Sequence, residues 1–127
     1  MLRPLAFIAI AAALATGAAW AAEPASGAPM AKDGMFVTAK GMTLYTFDKD
    51  ATPGKSVCNG QCATNWPPAL VSDDAKAAGP WTIVVRDDGL KQWAYKGKPV
   101  YAFAKDGKAG DKTGDGFMNG AWHVAKP

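Results

Sequence analysis

Histidine occurs once in these 127 residues, at His123, and cysteine only twice, at Cys58 and Cys62. Each shortage closes a class of function. There is no His-Glu-x-x-His metalloprotease pattern, no Gly-x-Ser-x-Gly nucleophile elbow, no phosphate loop and no dinucleotide fingerprint. Ser26, Ser56 and Ser72 stand in poor nucleophile contexts, and the acidic pairs Asp73-Asp74 and Asp87-Asp88 fall at a cap and a turn. No catalytic residue is assigned, and the chain reads as a non-enzyme. Charge is scarce as well. The formal net charge is +3, or +2 without Arg3 (3 − 1), too little to call for a nucleic-acid partner. Residues 88–127 hold seven Lys against four Asp, a bias read as solvated surface rather than an anion site.

What is present begins with an export signal. Arg3 supplies a positive start, and Leu5 to Thr16 form an apolar stretch too short for a bilayer. Ala19-Trp20-Ala21 offers small residues where a signal peptidase reads them. Cleavage is expected near Ala21, giving a signal peptide over 1–21 and a periplasmic or secreted protein. No second apolar run reaches membrane-spanning length, and no cysteine sits at the cleavage site to take a lipid. Neither a transmembrane segment nor a lipid anchor is expected.

A duplication governs the remainder. At a shift of 56, Tyr45-x-Phe47-x-x-Asp50 meets Tyr101-x-Phe103-x-x-Asp106. At the same shift Gly41, Gly54 and Gly60 meet Gly97, Gly110 and Gly116, and Trp66 meets Trp122. Asp33-Gly34 matches Asp88-Gly89 at a shift of 55. The organisation that follows is a flexible leader over 22–32 and a single β domain over 33–127. Within it, repeat one covers 33–70, a connector 71–87 and repeat two 88–127.

Local signals are β throughout. "MFVT" and "MTLYTF" flank Ala39-Lys40-Gly41, and "LKQWAY" and "PVYAF" flank Lys96-Gly97-Lys98; both read as hairpins with glycine in the turn. "WTIVVR", closed by Asp87-Asp88-Gly89, is expected to pair with "LKQWAY" in a third. Ser72-Asp73-Asp74 before "AKAA" reads as the cap of one or two helical turns. On strands, Tyr45 and Phe47 share one face, as do Tyr101 and Phe103. Asp50 and Asp106 fall just past the strand ends, where a carboxylate accepts loop N–H groups. Each repeat thus inserts two rings into a common core, pins its outgoing loop with an Asp, and is closed by Trp66 or Trp122. The fold class is all-β: two tandem hairpin repeats about a pseudo-two-fold, sandwich or open barrel, with long Gly/Asp-rich loops.

The chain also resembles a secreted repeat family of unknown function, found in predicted bacterial lipoproteins and marked by Tyr-x-(Phe/Trp/Tyr)-x-x-Asp. "GMTLYTFDKD", "CNGQCATNWPP", "VVRDDGLKQWAYKGKPVYAFAKD" and "GDGFMNGAWHVAKP" carry the resemblance. It implies export and a two-repeat β unit, with no activity or catalytic residue to transfer.

Cys58-Asn-Gly-Gln-Cys62 is the sharpest chemical feature. In an oxidising compartment such a pair forms a structural disulfide, here in repeat one alone, since Gly114 and Met118 occupy the matching places. The alternative is a copper or redox accessory role. The thiolates of Cys58 and Cys62, the thioether of Met118 and the imidazole of His123 would suit copper. "DGKAGDKTGDG" imitates a calcium loop but puts Trp122 where a bidentate Glu is required. The primary expectation is a non-enzymatic binding or interaction module without cofactor, its partner in the envelope or outside the cell unidentified.

Overall fold

A computed structural model describes residues 27–127, so the signal and its cleavage site lie outside the described residues. Strands β1 (Met30–Lys32) and β2 (Met35–Val37) form an antiparallel hairpin with Lys32 opposite Met35. Asp33 and Gly34 make its two-residue turn with φ of 54° and 81°; positive φ at both central residues is the geometry Asp-Gly favours. This hairpin draws residues 30–32, the end of the span read as leader, into the β structure. β3 (Tyr45–Phe47) pairs with β7 (Trp122–Val124), placing Tyr45 opposite Val124, Thr46 opposite His123 and Phe47 opposite Trp122. β4 (Trp81–Val85), β5 (Lys91–Tyr95) and β6 (Lys98–Pro99) form a three-stranded antiparallel sheet, which contains the third hairpin as expected. Among the described residues no sheet closes on itself, so the form is an open, sandwich-like one.

Two apolar layers lie on opposite faces of these strands. Tyr45, Tyr101, Phe103 and Val124 enter one cluster; their neighbours Leu44, Val100, Ala102 and Ala125 enter the other. The alternation follows from the two-residue period of a strand. Where both faces are covered, as at Leu44-Tyr45, Val100–Phe103 and Val124-Ala125, the segments read as almost continuous apolar runs.

The repeats are joined at one reciprocal backbone pair. Tyr45 N–H donates to the Tyr101 carbonyl at 2.7 Å, and Tyr101 N–H donates to the Tyr45 carbonyl at 2.9 Å. Further bonds come in matched twos. Ala69 N–H donates to Val100 O and Ala125 N–H to Leu44 O, at 3.1 and 2.8 Å; Leu44 N–H reaches Phe36 O and Val100 N–H reaches Trp93 O, both at 3.0 Å. The turns are exchanged too. Gly54 N–H donates to Gly97 O at 2.9 Å and Gly110 N–H to Gly41 O at 3.3 Å. Gly41 and Gly97 hold φ of 83° and 86°, and a Cβ on them would press to 3.0 and 3.2 Å on Ala109 and Pro53 of the opposite repeat. Positive φ and close approach together are therefore the reason both turns need glycine.

The Leu44 and Val100 bonds equate Phe36 with Trp93, a shift of 57 rather than the 55 read from Asp33-Gly34 and Asp88-Gly89. The two turns differ in length: Lys32 faces Met35 across two residues, whereas Arg86 N–H bonds Leu90 O across three. The local likeness of the Asp-Gly pairs is thus a likeness of turn chemistry. A second correction concerns 72–78, where no helix forms. Ser72 Oγ donates to Asp74 Oδ1 at 3.0 Å, but Val71 N–H is held by Lys91 O and Ala78 pairs with Trp81. Backbone pairing at both ends of 72–78 overrides the cap. A five-residue helix, α1 (Gln61–Asn65), forms instead behind Gly60, within the cysteine segment.

Candidate functional site: an aromatic column and its apolar cleft

Phe47, Trp122, Trp66 and Phe103 stack in that order as one column. Successive ring centroids are 4.1, 3.7 and 4.0 Å apart, with interplanar angles of 9°, 2° and 22°. The central Trp66–Trp122 contact joins equivalent residues, so the pseudo-two-fold passes between them. Tyr45 sets its edge against Trp66 at 5.4 Å, and Tyr101 does the same to Trp122 at 5.2 Å. Each repeat thus interleaves its rings with those of the other, the edge and stacked geometries aromatic pairs prefer.

The acid of each motif serves the tyrosine of the other copy. Tyr45 OH donates to Asp106 Oδ2 at 2.6 Å, and Tyr101 OH donates to Asp50 Oδ2 at 2.5 Å. The second oxygens hold the loops: Asp50 Oδ1 accepts Val57 N–H at 2.7 Å, and Asp106 Oδ1 accepts Thr113 N–H at 2.9 Å. Asp50 and Asp106 are both buried. Burial raises the Asp50 carboxyl above its ordinary value, and the bonds from Tyr101 and Val57 and the charge of Arg86 offset only part of this. Burial, then the bond to the partner Asp, pushes both phenols well above the ordinary value of 10.0. The hydroxyls therefore stay protonated and act as fixed donors.

One residue of the site was not singled out from sequence. The Arg86 side chain is wholly enclosed. Its Nη1 donates to Gln92 Oε1 at 2.9 Å and Ser56 Oγ at 3.1 Å; its Nη2 donates to Cys58 O at 2.9 Å and Asn59 Oδ1 at 3.2 Å. Ser56 Oγ lies 2.6 Å from Tyr101 OH. Arg86 Nε meets Asp88 at 3.1 Å. Burial would raise the Asp88 carboxyl, but the Leu90 N–H and Arg86 outweigh it and hold the group below its ordinary value. An arginine at a strand end carries no local signal for this; its partners come from three separate segments.

Cys58 and Cys62 are bonded, with Cα atoms 5.2 Å apart. The bond engages both sulfurs that the copper alternative needs. Met118 is exposed, and His123 stands on the outer side of β7, bonded to Asp48 Oδ2 at 3.0 Å. Among the described residues no group of three or more His, Cys, Asp or Glu is placed to hold a metal.

Beside the column an open cleft of about 410 Å³ is lined by Phe47, Val57, Cys62, Trp66 and Met118, with Lys49, Gln61 and Asn65. Cys62 and Met118 are equivalent residues (62 + 56 = 118), which places the cleft at the pseudo-two-fold axis. Val57 and Met118 are 45% and 54% exposed, so the apolar lining reaches solvent. Met118 and Asn119 hold left-handed φ of 57° and 59°. For methionine this is an uncommon conformation costing on the order of 1–3 kcal/mol, and such strain gathers at functional sites.

A family model described as a secreted repeat of unknown function matches residues 28–70 and 82–126, one span for each repeat. No curated protein and no solved structure matches the chain.

Proposed function

The chain belongs to the family of secreted repeats of unknown function, and from that premise we propose that it is a non-enzymatic binding module of the bacterial envelope or exterior. Its axial cleft receives an apolar or aromatic group of the ligand. The observation that carries this reading is the cleft itself: an apolar lining left open to solvent beside a column of buried rings. Its size suits a single ring or a short acyl segment. The motif acids are committed to tyrosines and loop amides, and Ser56 to Tyr101 and Arg86, which supports a binding role over catalysis. The export signal read at 1–21 and the secreted family support a site in the periplasm or outside the cell.

The test uses 8-anilinonaphthalene-1-sulfonate as an apolar aromatic probe on the exported protein. Saturable fluorescence at one site is expected, abolished by Val57→Glu and by Met118→Glu without change in melting temperature. Absence of saturable binding, or equal binding by both variants, overturns the reading.

A further inference from the structure

We propose that the outer face of β3 and β7, with the turn that follows β5, is a binding groove for a phosphate group. It is separate from the axial cleft: β3 and β7 turn Phe47 and Trp122 inward, and Thr46 and His123 outward. A cavity of about 350 Å³ opens over that outer face, walled by Lys96 of the turn, Lys98 at the start of β6, and Lys126. Tyr95, Asp48, Val124 and Ala125 complete its lining. Asp48 is engaged by His123 at 3.0 Å, and Lys96 Nζ lies 5.4 Å from the Tyr95 ring centroid. Among the described residues no salt bridge or hydrogen bond is formed by the ammonium groups of Lys96, Lys98 or Lys126. Among the described residues that line the groove, three ammonium groups against one carboxylate leave an excess of positive charge.

The duplication supplies an internal control. At the shift of 56, Thr46 corresponds to Ala102, Asp48 to Ala104, Lys98 to Met42, His123 to Pro67 and Lys126 to Leu70. The same scaffold position in the other half is thus built from apolar residues, and Ala102 and Pro67 are buried there. Only Lys96 keeps its type, facing Lys40. In the other half Ala102 is covered by the second apolar cluster, whereas Thr46 and His123 face outward, so only this half leaves the position open to a ligand. The charge is gathered on one of the two related faces, and three of the seven lysines of repeat two, which composition alone reads as solvated surface, line it. The chemistry favours phosphate over a single carboxylate. Separate ammonium groups on different segments act as point charges around a multivalent tetrahedral oxyanion, whereas planar carboxylate recognition uses an arginine fork, which the groove lacks. The phosphate can belong to a soluble ester or to a lipid headgroup.

Titration of ¹⁵N-labelled protein with inorganic pyrophosphate at about 150 mM salt tests the site, since charges separated by more than about 8 Å are screened there. Saturable shifts confined to the amides of Thr46, Lys96, Gly97, Lys98 and His123 are expected. Lys98→Glu/Lys126→Glu should weaken binding about tenfold or more, equivalent to about 1.4 kcal/mol. Lys40→Glu, on the equivalent face, should leave it unchanged. If the double charge reversal does not fold, Lys98→Ala/Lys126→Ala serves, with weakening in the same direction. A parallel sedimentation assay with phosphatidylglycerol–phosphatidylcholine vesicles assigns the source. Vesicle binding that needs Lys98 and Lys126 and is displaced by pyrophosphate supports a headgroup, and pyrophosphate binding alone supports a soluble ester. No binding to either, shifts spread over every lysine, or an equal loss with Lys40→Glu overturns the proposal.

Discussion

Tyr45→Phe removes one oxygen atom and, with it, the bond that ties repeat one to the acid of repeat two. The lost contact is a 2.6 Å hydrogen bond to Asp106 Oδ2, and Gly114 N–H loses the phenol oxygen 3.2 Å away. A hydrogen bond to a charged acceptor contributes about 1.5–3 kcal/mol, and the unpaired carboxylate oxygen stays in the core, so a loss of about 2–3 kcal/mol is expected. Tyr101→Phe should cost a similar amount through Asp50 and Ser56. The decisive quantity is the coupling. In urea-unfolding cycles, Tyr45→Phe with Asp106→Asn should fall short of additivity by about 1–2 kcal/mol, whereas Tyr45→Phe with Asp50→Asn should add to within about 0.5 kcal/mol. The two pairs differ only in whether the acid comes from the other repeat or from the same one. Coupling confined to Tyr45 and Asp50, or absent from both cycles, refutes the exchanged arrangement.

Both phenols are raised above 10.0 on folding, so their contribution is complete below pH about 10 and is lost as pH climbs towards the folded values; phenolate absorbance of Tyr45 and Tyr101 should therefore appear together with loss of near-ultraviolet circular dichroism, and its appearance in intact protein would contradict this. Gly114→Ala drives a Cβ to 2.7 Å from Trp66 Cη2 and 3.0 Å from Phe103 and should cost about 1–3 kcal/mol, while Gly107→Ala, whose nearest atom is 3.8 Å away, should be tolerated; thermal unfolding of the two variants separates them. Cys58→Ser/Cys62→Ser should lose about 2 kcal/mol or less, because the closed loop is short, and a larger loss in denaturant titration means the loop is held by more than chain entropy.

The duplicated motif, its strands and the hairpins are legible in sequence because alternation, Gly turns and a fixed shift are local or periodic signals. Tyr45 and Phe47 declare a shared face by their spacing alone. The exchange of acids is not legible: Asp50 and Asp106 sit where a turn-capping Asp sits, and nothing in six residues says that the second oxygen reaches a tyrosine 51 or 61 positions away. Arg86 is silent for the same reason, its acceptors being distributed over Ser56, Cys58, Asn59 and Gln92. The helix expected after Ser72 has a genuine cap signal, but edge pairing at Val71 and Ala78 is stronger than a turn or two of isolated helix. The cleft and the groove both depend on which equivalent residues meet at the axis and which remain outside it, and that is known only once the repeats are docked.

Amide hydrogen exchange at Tyr45 and Tyr101 tests most directly whether the two copies form one cooperative core. Their N–H groups make the reciprocal pair at 2.7 and 2.9 Å, between two fully buried residues. A unit closed by exchange between its halves cannot open one of these bonds alone, so both amides should exchange only through global unfolding, with equal free energies matching that from denaturant titration. A Tyr45 or Tyr101 amide that exchanges through a markedly cheaper opening would show that one repeat stands without the other, and would contradict the account.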